Sequence, residues 1–93
     1  MGYYLVTYDL RKERDSSDYE KLYSKLRSFG DWAWPLESVW VVSASSANAV
    51  LKKLMPALDD NDGIIVSEMT NELCKRRLDK GTADWFAGKF ACR

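Results

Sequence analysis

The sequence has 93 residues, of which 46% are hydrophobic, 13% aromatic and 30% charged. This predicts one small domain over residues 1–93 and excludes a disordered chain. The 14 Lys and Arg residues balance the 14 Asp and Glu residues, which argues against non-specific electrostatic binding of nucleic acid. The absence of His excludes Ser-His-Asp and Cys-His catalysis from this chain alone.

The first third of the chain predicts a strand and a helix. Tyr3 to Leu10 is almost continuously apolar, which is typical of a central strand. The charged stretch 11–18 predicts a loop, and Ser17 with Glu20 has the spacing of a capping box. Gly30 is then expected to end the helix in the left-handed conformation. The apolar face of that helix comprises Tyr19, Leu22, Tyr23, Leu26 and Phe29.

The middle of the chain predicts a hairpin followed by a second helix. The short aromatic stretch 31–35 and the branched stretch 38–43 are expected to pair as antiparallel strands. Ser45 or Ser46 can cap the next helix, and Pro56 should disrupt its last turn. The apolar face of the second helix comprises Ala47, Val50, Leu51, Leu54 and Leu58.

The last third predicts a polar turn at 59–63 and a fourth strand at 64–69. The turn resembles a calcium loop, but Leu58 and Met69 would then occupy its first and twelfth positions, which excludes an EF-hand. Thr82 or Asp84 could start a short helix that carries Trp85 and two phenylalanines.

The predicted order is therefore strand, helix, strand, strand, helix, strand. It indicates an α+β protein with the ferredoxin-like split βαβ plan, in which a four-stranded antiparallel sheet carries two helices on one face. The core is expected at residues 3–70 and a C-terminal extension at 71–93. This fold hosts many unrelated functions, so it does not by itself decide the activity.

The two cysteines, Cys74 and Cys92, lie far apart and form no CxxC motif, so neither a disulfide framework nor a zinc ribbon is expected. We find no signal-peptide pattern and no apolar run of membrane-spanning length. These features predict a reduced, cytoplasmic protein that does not contact a membrane.

Asp9 is the most specific candidate site residue, because it ends an otherwise apolar strand. A carboxylate there can bind a divalent cation, although one is too few for a phosphodiesterase site, and a two-fold dimer would supply a second. The alternative is that Asp9 caps the next loop by accepting backbone N–H bonds. Arg11, Lys12 and Arg14 could bind phosphates near such a metal, or could belong to a solvated, charge-balanced loop.

Two further features bear on surfaces that could contact other molecules. The tryptophans Trp32, Trp34, Trp40 and Trp85 could stack on bases, but a role in the core and in an interface is favoured. Lys75, Arg76 and Arg77 form an unbroken basic triplet, which is a weak signal for contact with a nucleic-acid backbone.

Three segments carry a family resemblance: YYLVTYDLRK, LESVWVVSAS and LDDNDGIIVSEM. Together they resemble the CRISPR-associated Cas-two superfamily, and within it the stand-alone SinR-like branch. The similarity covers Tyr3 to Thr70. Its most specific parts are Tyr8-Asp9 at the end of the first strand and Ser38-Val39-Trp40 at the start of the third.

The resemblance implies a ferredoxin-like homodimer that associates through its sheets. It also implies that Asp9 matches the proposed magnesium ligand of members that cleave RNA or DNA. Other members hold DNA as a scaffold. Two hypotheses follow: a Cas-two-like homodimeric, magnesium-dependent endonuclease, or a non-catalytic dimeric module that binds a protein partner, such as a small regulator or inhibitor of a nucleic-acid machine.

Overall fold

A computed structural model describes residues 1–10 and 16–93, and for residues 16–18 it describes the backbone alone. The described residues form four strands, three α-helices and one 3₁₀ turn. In chain order they are β1 (Gly2–Asp9), α1 (Ser16–Arg27), β2 (Trp32–Leu36), β3 (Val39–Ala44), α2 (Ala47–Leu54), the 3₁₀ turn (Met55–Ala57), β4 (Gly63–Glu68) and α3 (Lys80–Ala87).

The four strands form one antiparallel sheet in the order β2-β3-β1-β4. In the centre of the sheet, Val6 of β1 lies between Trp40 of β3 and Val66 of β4. The predicted α+β class and the four-stranded antiparallel sheet are confirmed. The arrangement is compatible with a ferredoxin-like plan.

One face of the sheet, here called the helix face, packs against α1 and α2. Because side chains alternate along a strand, the even-numbered residues of β1 and β3 point to this face. They form the core with Leu22 and Leu26 of α1 and with Val50 and Leu54 of α2, all four of which have no exposed surface. The apolar faces predicted for the two helices are therefore confirmed at their central positions.

The opposite face, here called the second face, is covered in part by the C-terminal cap, residues 71–93, while Ile65 of β4 on the same face stays 64% exposed. Val41 points to this face between Leu5 and Ala33, and it is fully buried. Phe86 of α3 is 3% exposed and lines the same cleft as Leu5 and Val41. The extension predicted at 71–93 thus packs back onto the sheet of its own chain.

Several predicted boundaries are wrong. Helix α1 begins at Ser16, so residues 16–18 are helical and Ser17 lies inside the helix rather than capping it. It ends at Arg27, and Gly30 does not adopt a positive φ. Helix α3 begins at Lys80 because the Asp79 carboxylate accepts a hydrogen bond from the backbone N–H of Thr82.

Other local predictions are confirmed. Ser46 caps α2 by accepting a hydrogen bond from the backbone N–H of Ala49 at 3.0 Å. The α-helix ends at Leu54, and Pro56 lies in the 3₁₀ turn that follows, where its missing N–H is tolerated. β2 and β3 form the expected hairpin, although the register shifts between Ala33 and Leu36.

The two edges of the sheet differ. β2 contains Pro35, which has no N–H to donate, and its pairing with β3 is irregular. β4 is a regular six-residue strand without proline, and its central residue Ile65 is 64% exposed. The β4 edge is therefore the one that is suited to pairing with another strand.

Cys74 and Cys92 form a disulfide, with their Cα atoms 4.6 Å apart. This corrects the expectation that the two cysteines indicate no disulfide framework. Two backbone hydrogen bonds lie beside the disulfide: Leu73 donates to Ala91, and Ala91 donates to Asn71, each at 3.0 Å. These contacts bring the two ends of the cap together.

In the part of the chain that the structure describes, no helix has the length and apolar character needed to cross a bilayer.

Candidate functional site

Asp9 lies at the last position of β1, opposite Gly63 of β4, and is exposed. The strand fixes its backbone through antiparallel pairing, so the carboxylate occupies a defined place at the end of the sheet. A shallow cavity of about 310 Å³ surrounds it. The cavity is lined by Thr7, Tyr8, Asp9, Gly63, Ile64 and Ile65.

The neighbouring Tyr8 anchors this end of β1 in the core. Tyr8 is 8% exposed, and its hydroxyl donates a 3.2 Å hydrogen bond to the backbone oxygen of Glu37. Burial raises the pKa of the Tyr8 hydroxyl far above its usual value of 10.0, so the group stays neutral. Tyr8 is thus a structural residue, and the alternation along the strand places the adjacent Asp9 on the second face.

Among residues 1–10 and 16–93, no group of three or more His, Cys, Asp or Glu side chains is placed to hold a metal ion. The phosphate-binding residues predicted beside Asp9, namely Arg11, Lys12 and Arg14, lie outside the described residues. In the described residues, Asp9 therefore lies beside the open β4 edge.

An aromatic row crosses the helix face at the β2 edge. Trp34 stacks on the buried Trp40, with ring centres 4.6 Å apart and planes at 15°. Trp32 contacts Trp40 from 5.3 Å, and Tyr23 lies 4.5 Å from Trp34. Trp32 and Trp34 remain 37% and 38% exposed, so each can pack against Trp40 and still contact a second molecule.

The basic triplet lies in the C-terminal cap, away from Asp9 in the sequence. Arg77 adopts a φ of 61°, a left-handed conformation that is uncommon for a residue with a side chain. Lys75 and Arg76 border a cleft of about 270 Å³ between the cap and the second face. Its apolar part includes Leu5, Val39, Val41, Leu73 and Phe86.

Asp31 connects the cap to the sheet, a role that was not predicted from the sequence. Its carboxylate accepts hydrogen bonds from the Tyr3 hydroxyl at 2.7 Å and from Trp85 Nε1 at 3.0 Å. Lys89 Nζ lies 3.7 Å from the same carboxylate and 4.3 Å from the centre of the Trp85 ring. The partners are 28 and 54 residues away in sequence, so no local pattern could have indicated this cluster.

The Asp31 cluster makes the stability of the protein depend on pH. The hydrogen bond from Tyr3 holds the pKa of the Asp31 carboxyl below its usual value of 3.8, and contacts with Trp85 and Lys89 act in the same direction. A lowered folded-state pKa contributes stability that is present above the unfolded value and is lost as the pH falls through the folded value.

We therefore expect Asp31→Asn to be less stable than the wild type at neutral pH, with the difference shrinking as the pH falls below about 4. Urea unfolding of both proteins over a series of pH values measures this. The exposure of Asp31 makes the contribution modest. A difference in unfolding free energy that stays constant across the series would contradict the assigned role of the charge.

Comparisons of the chain with models of protein families, with curated proteins and with solved structures find no match. Function must therefore be inferred from the residues themselves. The features that bear on it are Asp9 beside the open β4 edge, the partly exposed aromatic row, and the cap on the second face.

Proposed function

We propose that this chain is a Cas-two-like, ferredoxin-like protein that acts as a homodimer on nucleic acid, in which paired Asp9 carboxylates bind Mg²⁺ and support cleavage of a phosphodiester. The observation that carries the proposal is the exposed position of Asp9 at the end of β1, next to an open edge strand. The resemblance of Tyr8-Asp9 and Ser38-Val39-Trp40 to the family supports it. A cytoplasmic location belongs to the same proposal.

The proposed chemistry needs two chains. Mg²⁺ prefers oxygen ligands and usually keeps several waters, so two carboxylates, one from each copy, would hold it while a bound water attacks phosphorus. Strand β4 pairs directly with β1, and Asp9 faces Gly63 across that pairing. For the two Asp9 side chains to meet, the two-fold axis would have to pass near Gly63, at the Asp9 end of β4, rather than through the centre of that strand.

The test combines oligomeric state with cleavage. Ile65→Asp introduces a charge at the exposed centre of β4, and Leu36→Asp introduces the same charge at a residue of similar exposure on the opposite edge. We expect Ile65→Asp to sediment as a monomer and to lose Mg²⁺-dependent cleavage of labelled RNA or DNA, whereas Leu36→Asp keeps both properties. A wild-type protein that is monomeric, or that cleaves equally well in EDTA, would overturn the proposal.

A second candidate function is a non-catalytic module that binds a protein partner. The partial exposure of Trp32 and Trp34 at the β2 edge favours it, because aromatic residues are enriched in protein interfaces. Under this alternative, a protein partner co-purifies from the native host and Trp34→Ala releases it. Retention of the partner by that variant would move the interface to another surface.

A further inference from the structure

The C-terminal cap depends on packing and on its disulfide to stay folded. Its helix α3 has eight residues, which is shorter than the length at which an isolated helix is stable in water. The contacts that hold α3 to the sheet come from the burial of Phe86, from edge-to-face packing of Trp85 on Tyr3 at 5.6 Å, and from the Asp31 cluster.

The disulfide lies entirely within the cap. Cys74 precedes α3 and Cys92 follows it, with a sequence separation of 18, so the bond closes a ring that contains the whole helix. No disulfide joins this ring to the sheet. The bond therefore acts by limiting the conformations available to an undocked cap, which raises the free energy of undocking.

Both cysteines are exposed, so a reductant can reach them in the folded protein. A disulfide in a protein of a reducing compartment is usually transient or sensory rather than permanent. A cytoplasmic location is part of the proposed function, so this step rests on that proposal. The exposure of the two cysteines and their placement around α3 are independent of the proposed function.

We propose that Cys74 and Cys92 form a reversible thiol–disulfide site which reacts with dithiols, and that its oxidation state controls how tightly the cap covers the second face. One thiolate of the dithiol attacks a sulfur of the pair, the S–S bond breaks, and a mixed disulfide forms. The second thiol of the reductant then displaces the remaining cysteine. Two electrons pass to the protein, both cysteines become thiols, and the dithiol becomes a disulfide.

Reduction leaves the ends of the cap joined by the two backbone hydrogen bonds between residues 71–73 and Ala91. It also removes the constraint on the undocked cap. Opening of the cap then exposes Val41, Leu5 and Ala33, which form an apolar strip across the centre of the second face. The helix face keeps its own core and its own helices, so the sheet persists.

Hydrogen exchange followed by mass spectrometry tests the proposal on the full chain, before and after treatment with dithiothreitol. From the size of the ring we expect the amides of α3 to exchange about 100-fold faster after reduction. The amides of β3, which lies in the centre of the protein, should keep their rates. Reoxidation should restore the protection of α3, and the Cys74→Ser/Cys92→Ser variant should match the reduced protein with or without dithiothreitol.

Three results would overturn the proposal. The first is an exchange rate in α3 that does not respond to reduction. The second is parallel acceleration in α3 and β3, which would make the disulfide a support of the whole fold rather than a control of the cap. The third is a failure of the two reduced cysteines to re-form their disulfide when the protein is incubated with the oxidised form of a dithiol. None of these readouts depends on cleavage or dimerisation. They therefore test the thiol–disulfide site independently of the proposed function.

Discussion

Replacing Trp40 with alanine is expected to lower the free energy of unfolding by about 3–5 kcal/mol, the range for removing a large buried aromatic side chain. Trp40 is the largest fully buried side chain of the described residues, and it is packed by Trp32 and Trp34. A domain of this size has a total stability of about 5–14 kcal/mol. The variant should therefore lose at least about a fifth of the total stability, which urea titration followed by far-UV circular dichroism measures.

The matched control is Trp40→Phe. The indole Nε1 of Trp40 is buried and has no hydrogen-bond partner among the described residues, so phenylalanine removes an unsatisfied donor as well as apolar area. We expect Trp40→Phe to cost less than Trp40→Ala by at least about 1 kcal/mol. Equal costs for the two variants would show that the phenyl ring kept by Trp40→Phe contributes nothing at this site, which would contradict the expected role of ring burial.

Replacing Asp9 with asparagine is expected to reduce Mg²⁺-dependent cleavage at least about 100-fold without changing the fold or the dimer. Asparagine keeps the size of the side chain but lacks the negative charge that strengthens the binding of a hard divalent cation. Because Asp9 is exposed at the end of β1, outside the core, the substituted protein should still fold. Initial rates on labelled RNA and DNA over a Mg²⁺ titration provide the measurement.

Asp60→Asn is the control for this experiment, since Asp60 is an exposed carboxylate in the turn before β4. It changes net charge by the same amount and should leave cleavage intact. If both variants cleave as well as the wild type, the activity comes from another site or from a contaminant. If the wild type does not cleave under any condition, the protein-binding alternative is the better account.

The sequence predicted most of the sheet and of the two core helices because each carries a local signal. β1 and β3 are dense in branched and aromatic residues, and α1 places Leu22 and Leu26 at helical spacing. The helix ends were less predictable. Ser17 and Gly30 match common cap patterns, yet the backbone around them does not use them as caps.

The features that the sequence did not predict depend on contacts between distant residues. Cys74 and Cys92 pair because the cap folds back on itself, and no short motif marks that pairing. Asp31 precedes β2 and reads as a turn residue, but it receives hydrogen bonds from both Tyr3 and Trp85. For Asp9 the limit is different, since the proposed metal site would need two chains, and such a site cannot be predicted from the spacing of residues within one.

The difference between the two sheet edges has a consequence for assembly. An edge strand that pairs with its own copy in antiparallel orientation creates a two-fold axis and uses up that edge in both molecules. Growth beyond a pair would need the opposite edge, where Pro35 offers no N–H and the register of β2 is broken. Any association of this protein through pairing of its sheet edges should therefore close at two copies rather than extend into a fibre.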